Sequence, residues 1–210
     1  MEAVLRLLAP IHRKLRSQKC DLFFDVLRPR SGDSLLDVGG GTGINGEFAR
    51  IYRHFTVVKI VNLDPQVMEE EGLEHVKCEI ADGCSLPFPD RSFDWVFSNA
   101  VIEHVGGAYR QQRFAEEIRR VARRGYFVAT PDRYFPIDPH TLLPFYQFLS
   151  PEWQRRVCRF SPCYMRHYAP LDLLSAAALR ALFPEATVRK IGLRIFPNNL
   201  VVYRCLESSS

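Results

Sequence analysis

The sequence contains no Cys-x-x-Cys pair, and no histidine cluster stands beside its six cysteines, Cys20, Cys78, Cys84, Cys158, Cys163 and Cys205. Zinc-ligand spacing is therefore absent, and no metal site is expected. A chain of this size does not need disulfides, so free thiols in a reducing cytoplasm are the expectation. No apolar run approaches the ~20 residues that cross a bilayer. The opening stretch, Met1 to Pro10, is too short and too soon interrupted for a secretory signal. There is no internal repeat, and no low-complexity tract beyond Ser208–Ser210. Neither charge dominates: 28 basic and 24 acidic residues leave a net charge of +4. The basic runs (Arg13, Lys14, Arg16, Lys19; Arg119, Arg120, Arg123, Arg124) read as solvated helix faces, so no nucleic-acid partner is expected. What remains is an ordinary globular composition, 47% hydrophobic and 25% charged over 210 residues. That length suits one domain with a sizeable core.

The first thirty residues have helical spacing, with Val4, Leu7, Leu8, Ile11 and Leu15 on one face. Pro10 is expected to break or kink the run, and Pro29 to end it. From Ser34 short apolar strands alternate with amphipathic helices. Strands are expected at Ser34–Val38, Val57–Leu63, Val76–Ile80, Phe93–Ser98 and Tyr126–Thr130. Helices are expected from the glycine-rich turn to about His54, over Tyr109–Arg124 and over Leu171–Phe183. Such alternation implies a parallel sheet with helices on both faces. Two closing strands, Thr187–Leu193 and Leu200–Cys205, are joined by a link short enough for an antiparallel hairpin.

One stretch carries chemistry: Leu35-Leu36-Asp37-Val38-Gly39-Gly40-Gly41-Thr42-Gly43. It runs from a buried strand into a helix. Alternating glycines let the backbone turn sharply and approach a ligand, and the helix start favours an anionic group. Gly41-x-Gly43-x-x-Gly46 also satisfies a dinucleotide fingerprint, a weak signal alone. Asp37 argues against that reading, because it would repel a pyrophosphate and tolerate an ammonium or sulfonium. Asp64 ends the second strand and Asp82 follows the third.

These blocks resemble the class I S-adenosylmethionine-dependent methyltransferases, in the type-11 methyltransferase-domain group. Four segments match in order between Ser34 and Thr130: Leu36–Gly43; Asn62-Leu63-Asp64-Pro65; Ala81-Asp82-Gly83 with Leu86-Pro87-Phe88-Pro89-Asp90; and Ser92–Ala100, running on into Val101-Ile102-Glu103-His104-Val105. The resemblance implies a Rossmann-like α/β fold with a seven-stranded, mostly parallel sheet. It also implies S-adenosyl-L-methionine as cofactor. Asp37 and the loop Gly39, Gly40, Gly41 and Gly43 would line its methionine part. Asp64 would accept from both ribose hydroxyls, a task suited to a carboxylate's two oxygens. Asp82 would accept from the adenine amino group with Gly83 beside the ring, and Asn99 would line the pocket by main chain. No aromatic stands next to Asp64, which departs from the common pattern. The chain then divides into a helical cover (1–33), a cofactor half (34–130) and an acceptor-side segment with the closing strands (131–210), all in one domain.

Ligands meet such sheets at the strand carboxyl ends, so residues after the fourth and fifth strands face the acceptor. His104, Asp132 and His140 are the candidate bases there. The segment from Leu143 to Val157, with Phe145, Phe148, Leu149 and Trp153 beside Arg155 and Arg156, suits an apolar acceptor or a peripheral membrane contact. The expected activity is methyl transfer to a small-molecule, glycan or lipid-linked acceptor, with O-methylation favoured. No Asn/Asp-Pro-Pro-Tyr motif follows the fourth strand, which disfavours amino-methylation of DNA or protein glutamine. The alternatives are a silent methyltransferase-like binding module and a nicotinamide-dependent oxidoreductase.

Overall fold

Side chains on a strand point alternately to the two faces of its sheet. In β1 (Ser34–Val38), Leu35, Leu36, Asp37 and Val38 are all buried, so both faces must be covered. A computed structural model describes residues 2–41, 48–65, 73–162, 167–192 and 197–206, with side chains from residue 9 onward. β1 lies in a seven-stranded sheet with β2 (Val57–Asn62), β3 (Val76–Ile80), β4 (Phe93–Asn99), β5 (Ala122–Pro131), β6 (Thr187–Gly192) and β7 (Pro197–Cys205). The order is β3-β2-β1-β4-β5-β7-β6. Strands β1 to β5 pair in parallel, and β7 is antiparallel to both β5 and β6. The expected sheet and its closing hairpin are the ones observed.

Two helical layers supply the cover. On one face α1 (Glu2–Leu27) and α2 (Ala49–Tyr52) bring Phe23, Leu27, Ile51 and Tyr52 against Leu35, Trp95, Phe97 and Phe127. On the other, α3 (Gly107–Val121) and α5 (Ala176–Leu182) bring Phe114, Ile118 and Leu179 against Leu36, Val38, Val96, Val128 and Val202. Burying each such side chain contributes about 1.5–3 kcal/mol. The short α4 (Pro151–Val157) buries none of its side chains.

Three boundaries depart from the sequence expectation. α1 continues through Pro10. Pro10 sits in the exposed half of the helix, where one lost N–H bond faces water. α3 stops at Val121 instead of Arg124, because Ala122 already pairs with Phe93. β5 carries one extra residue there, a bulge opposite Asp94. It lets consecutive arginines reach separate carboxylates: Arg123 bonds Asp94 at 2.7 Å and Arg124 bonds Asp33 at 2.7 Å. Arg120 binds Glu117 and Asp90, so this basic run is an ion-paired latch and not a solvated face. α5 begins at Ala176, where the Ser175 side chain accepts the Ala178 N–H at 3.1 Å. The residues before it serve as a strap: Leu174 bridges Asp132, and Asp172 accepts from Gly107 N–H and donates to the Glu103 carbonyl. No disulfide links the five described cysteines, and Cys163 lies outside the described residues.

Asp37 faces the α1 side, where the Tyr52 hydroxyl donates to its carboxylate. Burial pushes the Asp37 carboxyl up to about 7, and the Tyr52 hydrogen bond opposes that rise. The folded chain thus holds this proton more tightly than the unfolded chain, whose aspartate titrates near ~3.9. Its stabilising share is complete below that lower value and is lost as pH rises through about 7. Asp37→Asn is expected to gain stability over the wild type, on the order of a few kcal/mol, between pH 4 and pH 8. Urea denaturation at both pH values reads the difference, and parallel pH profiles for the two proteins would remove Asp37 as the titrating group. A second test is steric. A Cβ at Gly125 would overlap the Arg204 carbonyl and stand 2.7 Å from the Trp95 ring. Gly125→Ala should cost about 1–3 kcal/mol, and an unchanged denaturation midpoint would contradict that packing.

Candidate active site

The carboxyl ends of β1, β2, β3 and β4 frame a cavity of about 220 Å³. At its floor is the glycine turn. Gly39 has φ +85°, and its N–H donates to the Val61 carbonyl at 2.7 Å. A Cβ there would meet Val101 Cγ1 at 3.0 Å. At Gly40 a Cβ would fall on the Asp37 carboxylate, its Cγ only 2.6 Å away. Glycine is therefore required twice, once by conformation and once by the buried acid below. Gly41 is also left-handed, at φ 140°. Thr42, Gly43 and Gly46 lie outside the described residues.

Asn62, in the matched segment but with no role expected of it, holds this turn. Its amide donates to the Gly40 carbonyl at 2.8 Å and the Gly39 carbonyl at 3.3 Å. Its Oδ1 accepts the Asp64 N–H at 3.1 Å. One side chain thus ties the turn to the strand end that presents exposed Asp64. A polar residue closing an apolar strand was the available signal.

Asp82 and Gly83 form the next wall. A Cβ at Gly83 would stand 2.8 Å from Phe114 and 2.9 Å from Val38, so the backbone itself lines the cavity. The Asp82 carboxylate accepts from Cys84 N–H at 2.9 Å and from Arg110 Nη2 at 3.0 and 2.9 Å. Burial favours its neutral form, but these donors win and hold it below the usual carboxylate range. A carboxylate has about four lone-pair sites, so Asp82 keeps capacity for a further donor. Burial, then the Asp82 charge, pushes the Cys84 thiol up to about 11, which makes it a poor nucleophile.

Beyond β4, Ala100 takes a left-handed φ of 56° and donates to the Ala129 carbonyl at 2.8 Å. Val101 and His104 then line the cavity. Asn99 does not stand among the lining residues; its Oδ1 accepts from Lys19 Nζ at 2.7 Å, toward α1. His104 lies beside His140, with ring centroids 5.0 Å apart and planes at 87°. Burial and then His140 push the His104 pKa down to about 4, so its imidazole is neutral at neutral pH. Glu103 is fully buried and accepts from Thr130 Oγ1 at 2.9 Å. Its neutral form is favoured by burial.

Asp132, the third candidate base, is turned elsewhere. One oxygen accepts the Tyr134 N–H at 3.0 Å and the other accepts from Lys190 at 2.7 Å. It pins the segment after β5 to β6. Asp138 organises the turn that presents His140, accepting from His140 N–H, Thr141 N–H and Thr141 Oγ1. The structure thus brings His104 and His140 together and leaves Asp132 apart.

Residues 36–129 match the model of a methyltransferase domain. The chain is 27% identical over 154 residues to ajmaline N-methyltransferase of Rauvolfia serpentina, covering 69% of this chain and 49% of that one. Similarity to the ubiquinone/menaquinone biosynthesis C-methyltransferase UbiE of Ruegeria is 33% over 117 residues, covering 50% and 44%. The chain spans about half the length of these curated relatives. Among solved structures, an S-adenosylmethionine-dependent methyltransferase from Mesorhizobium loti shares the fold, with a TM-score of 0.58 at 15% identity, covering 86% of this chain and 96% of that one. The turn, the strand-end acids and the matched segment coincide, and through them the chain carries a class I S-adenosylmethionine-dependent methyltransferase domain of the type-11 group.

Proposed function

We propose that the protein transfers a methyl group from S-adenosylmethionine to an oxygen of a small-molecule, glycan or lipid-linked acceptor. The observation that carries this reading is a single one. The cavity with the glycine turn and Asp82 as walls is also lined by His104, beside which His140 and Glu103 lie. The residues present fit the cofactor. Positions 39 and 83 have no room for side chains, exposed Asp64 follows the lining residues Asn62 and Leu63, and Asp82 retains acceptor capacity beside the apolar Phe114 and Val105.

When bound, the cofactor supplies an electrophilic methyl on a sulfonium. The chain's part is to orient it, exclude water and handle the acceptor's proton. Asp64 takes the ribose hydroxyls and Asp82 the adenine amino group, as the resemblance implies. His104 is neutral near pH 7, half-exposed, and lines the cavity, and an acceptor hydroxyl would lie beside it. His140 and Glu103 lie beside it. Asp132 keeps a positioning role through Lys190.

The cover supports an apolar or lipid-linked acceptor. Tyr134, Phe145, Phe148, Trp153 and Phe160 are exposed. Arg156 and Arg159 lie over the Trp153 and Phe160 rings at 5.3 and 4.8 Å. An exposed aromatic surface laced with arginines suits the headgroup region of an anionic membrane. The relatives include N- and C-methyltransferases, so the oxygen is this reading's own choice.

Asp64→Ala should weaken S-adenosylmethionine binding by about 1.5–3 kcal/mol, the range for hydrogen bonds to a charged group. Calorimetry giving an unchanged Kd would take Asp64 out of the site. With a lipid-linked hydroxyl acceptor in anionic vesicles, S-adenosylhomocysteine should be released, and His140→Ala should lower kcat more than cofactor affinity. Binding without release for any acceptor would leave a silent binding module.

A further inference from the structure

Glu103, His104 and His140 each offer one nitrogen or oxygen, and these atoms all lie within 4.8 Å of one another. Glu103 comes from the turn after β4 and His140 from the segment after β5, so only the fold brings them together. Each is held so that one atom stays available. Thr130 Oγ1 occupies Glu103 Oε2, while Oε1 has no hydrogen-bond partner among the described residues although it is fully buried. Leaving such an atom unpaired is costly, and in a native site it points to a group that satisfies it. Lys19, whose charge acts on Glu103, donates to Asn99 and makes no hydrogen bond to Oε1. Oε1 faces His104 Nε2 at 4.0 Å. His140, 6% exposed, has its Nδ1 3.7 Å from Asp138 Oδ2, and both atoms lack a partner. A small closure makes that a hydrogen bond, which fixes the tautomer and leaves Nε2 to bind. Carboxylates placed behind histidines in this way are the usual outer support of metal ligands.

We propose that Glu103, His104 and His140 form a binding site for a first-row divalent cation, zinc by its donor set. Two imidazoles and one carboxylate suit zinc or its neighbours and not calcium or magnesium, which prefer oxygen throughout. Ligand atoms around such an ion stand roughly 3.0–3.4 Å apart. Half-exposed His104 can move in to meet that spacing, while Glu103 and His140 stay fixed. Three protein ligands leave an open position, and the cavity side of His104 is where an acceptor oxygen could take it. With the ion in place, its lowering of the bound hydroxyl's pKa would replace His104 in handling the acceptor's proton; this deepens the proposed transfer to oxygen and rests on it for the acceptor, though the ion's binding does not.

The test is titration of the tag-free, chelator-stripped chain with Co²⁺, read by its visible absorption, then with Zn²⁺ as competitor. Saturation at one equivalent and displacement by Zn²⁺ are expected. Glu103→Gln and His140→Ala should each weaken Co²⁺ binding by on the order of 100-fold or more. Melting curves report whether each variant folds, and His140→Ala alone decides if Glu103→Gln does not. Absence of a one-equivalent end point, or variants that bind as the wild type does, would overturn the site. Metal binding without S-adenosylhomocysteine release would sink the proposed transfer and spare the site. Full transfer by a chain that binds no metal would do the reverse.

Discussion

A buried acid lies under the glycine turn after β1 and leaves no room above it. Asp37 points to the α1 face, Gly40 passes over its oxygens, and Asn62 grips the same turn from β2. The turn is therefore clamped between one buried acid and one amide. The rest of the cavity depends on that clamp. It sets the backbone path after β1, aligns the end of β2 that carries Asp64, and fixes how near Val101 can approach. Tyr52 shares the acid from α2 and so couples the clamp to the helical layer.

At the opposite end of the sheet, ion pairs do comparable work. Asp94 receives Ser34 and Arg123, and Asp33 receives Trp95 and Arg124. The β5 bulge makes both pairs reachable. Half-exposed ion pairs contribute about 0–1 kcal/mol each, so their larger effect is on register. They fix where α3 gives way to β5, and hence how far β5 carries the acceptor-side segment.

The cofactor half was legible because its signals are local. Buried parallel strands are short apolar runs, and β1 and β3 fall where the pattern put them. The glycine turn announced itself by composition. Errors came where long-range pairing overrides local preference. Ala122 to Arg124 read as helix, yet the pairing with Phe93 and two distant carboxylates make them strand. Leu171 to Leu174 read as helix, yet they lie as a strap bonded to Glu103 and Asp132. In the site, His104 and His140 were singled out separately. Glu103 was hidden because nothing in the sequence tells a fully buried acid from an exposed one. Asp138 was hidden because its role is to bond its own turn. Nothing in the spacing of positions 103, 104 and 140 shows that they meet.

α4 and its neighbours carry large aromatic and basic side chains, but α4 buries none of its own. The segment's anchoring comes instead from a few buried polar residues, Asp132, Asp138 and Ser161 among them. On the proposed function, foldability and acceptor choice are therefore written in different residues. Substitutions across the outer face of α4 carry little folding cost, so on that reading a lineage could retune the acceptor there without disturbing the sheet. The anchoring residues have no such latitude. This is a division of labour that would let one cofactor scaffold diversify rapidly in the compounds it modifies.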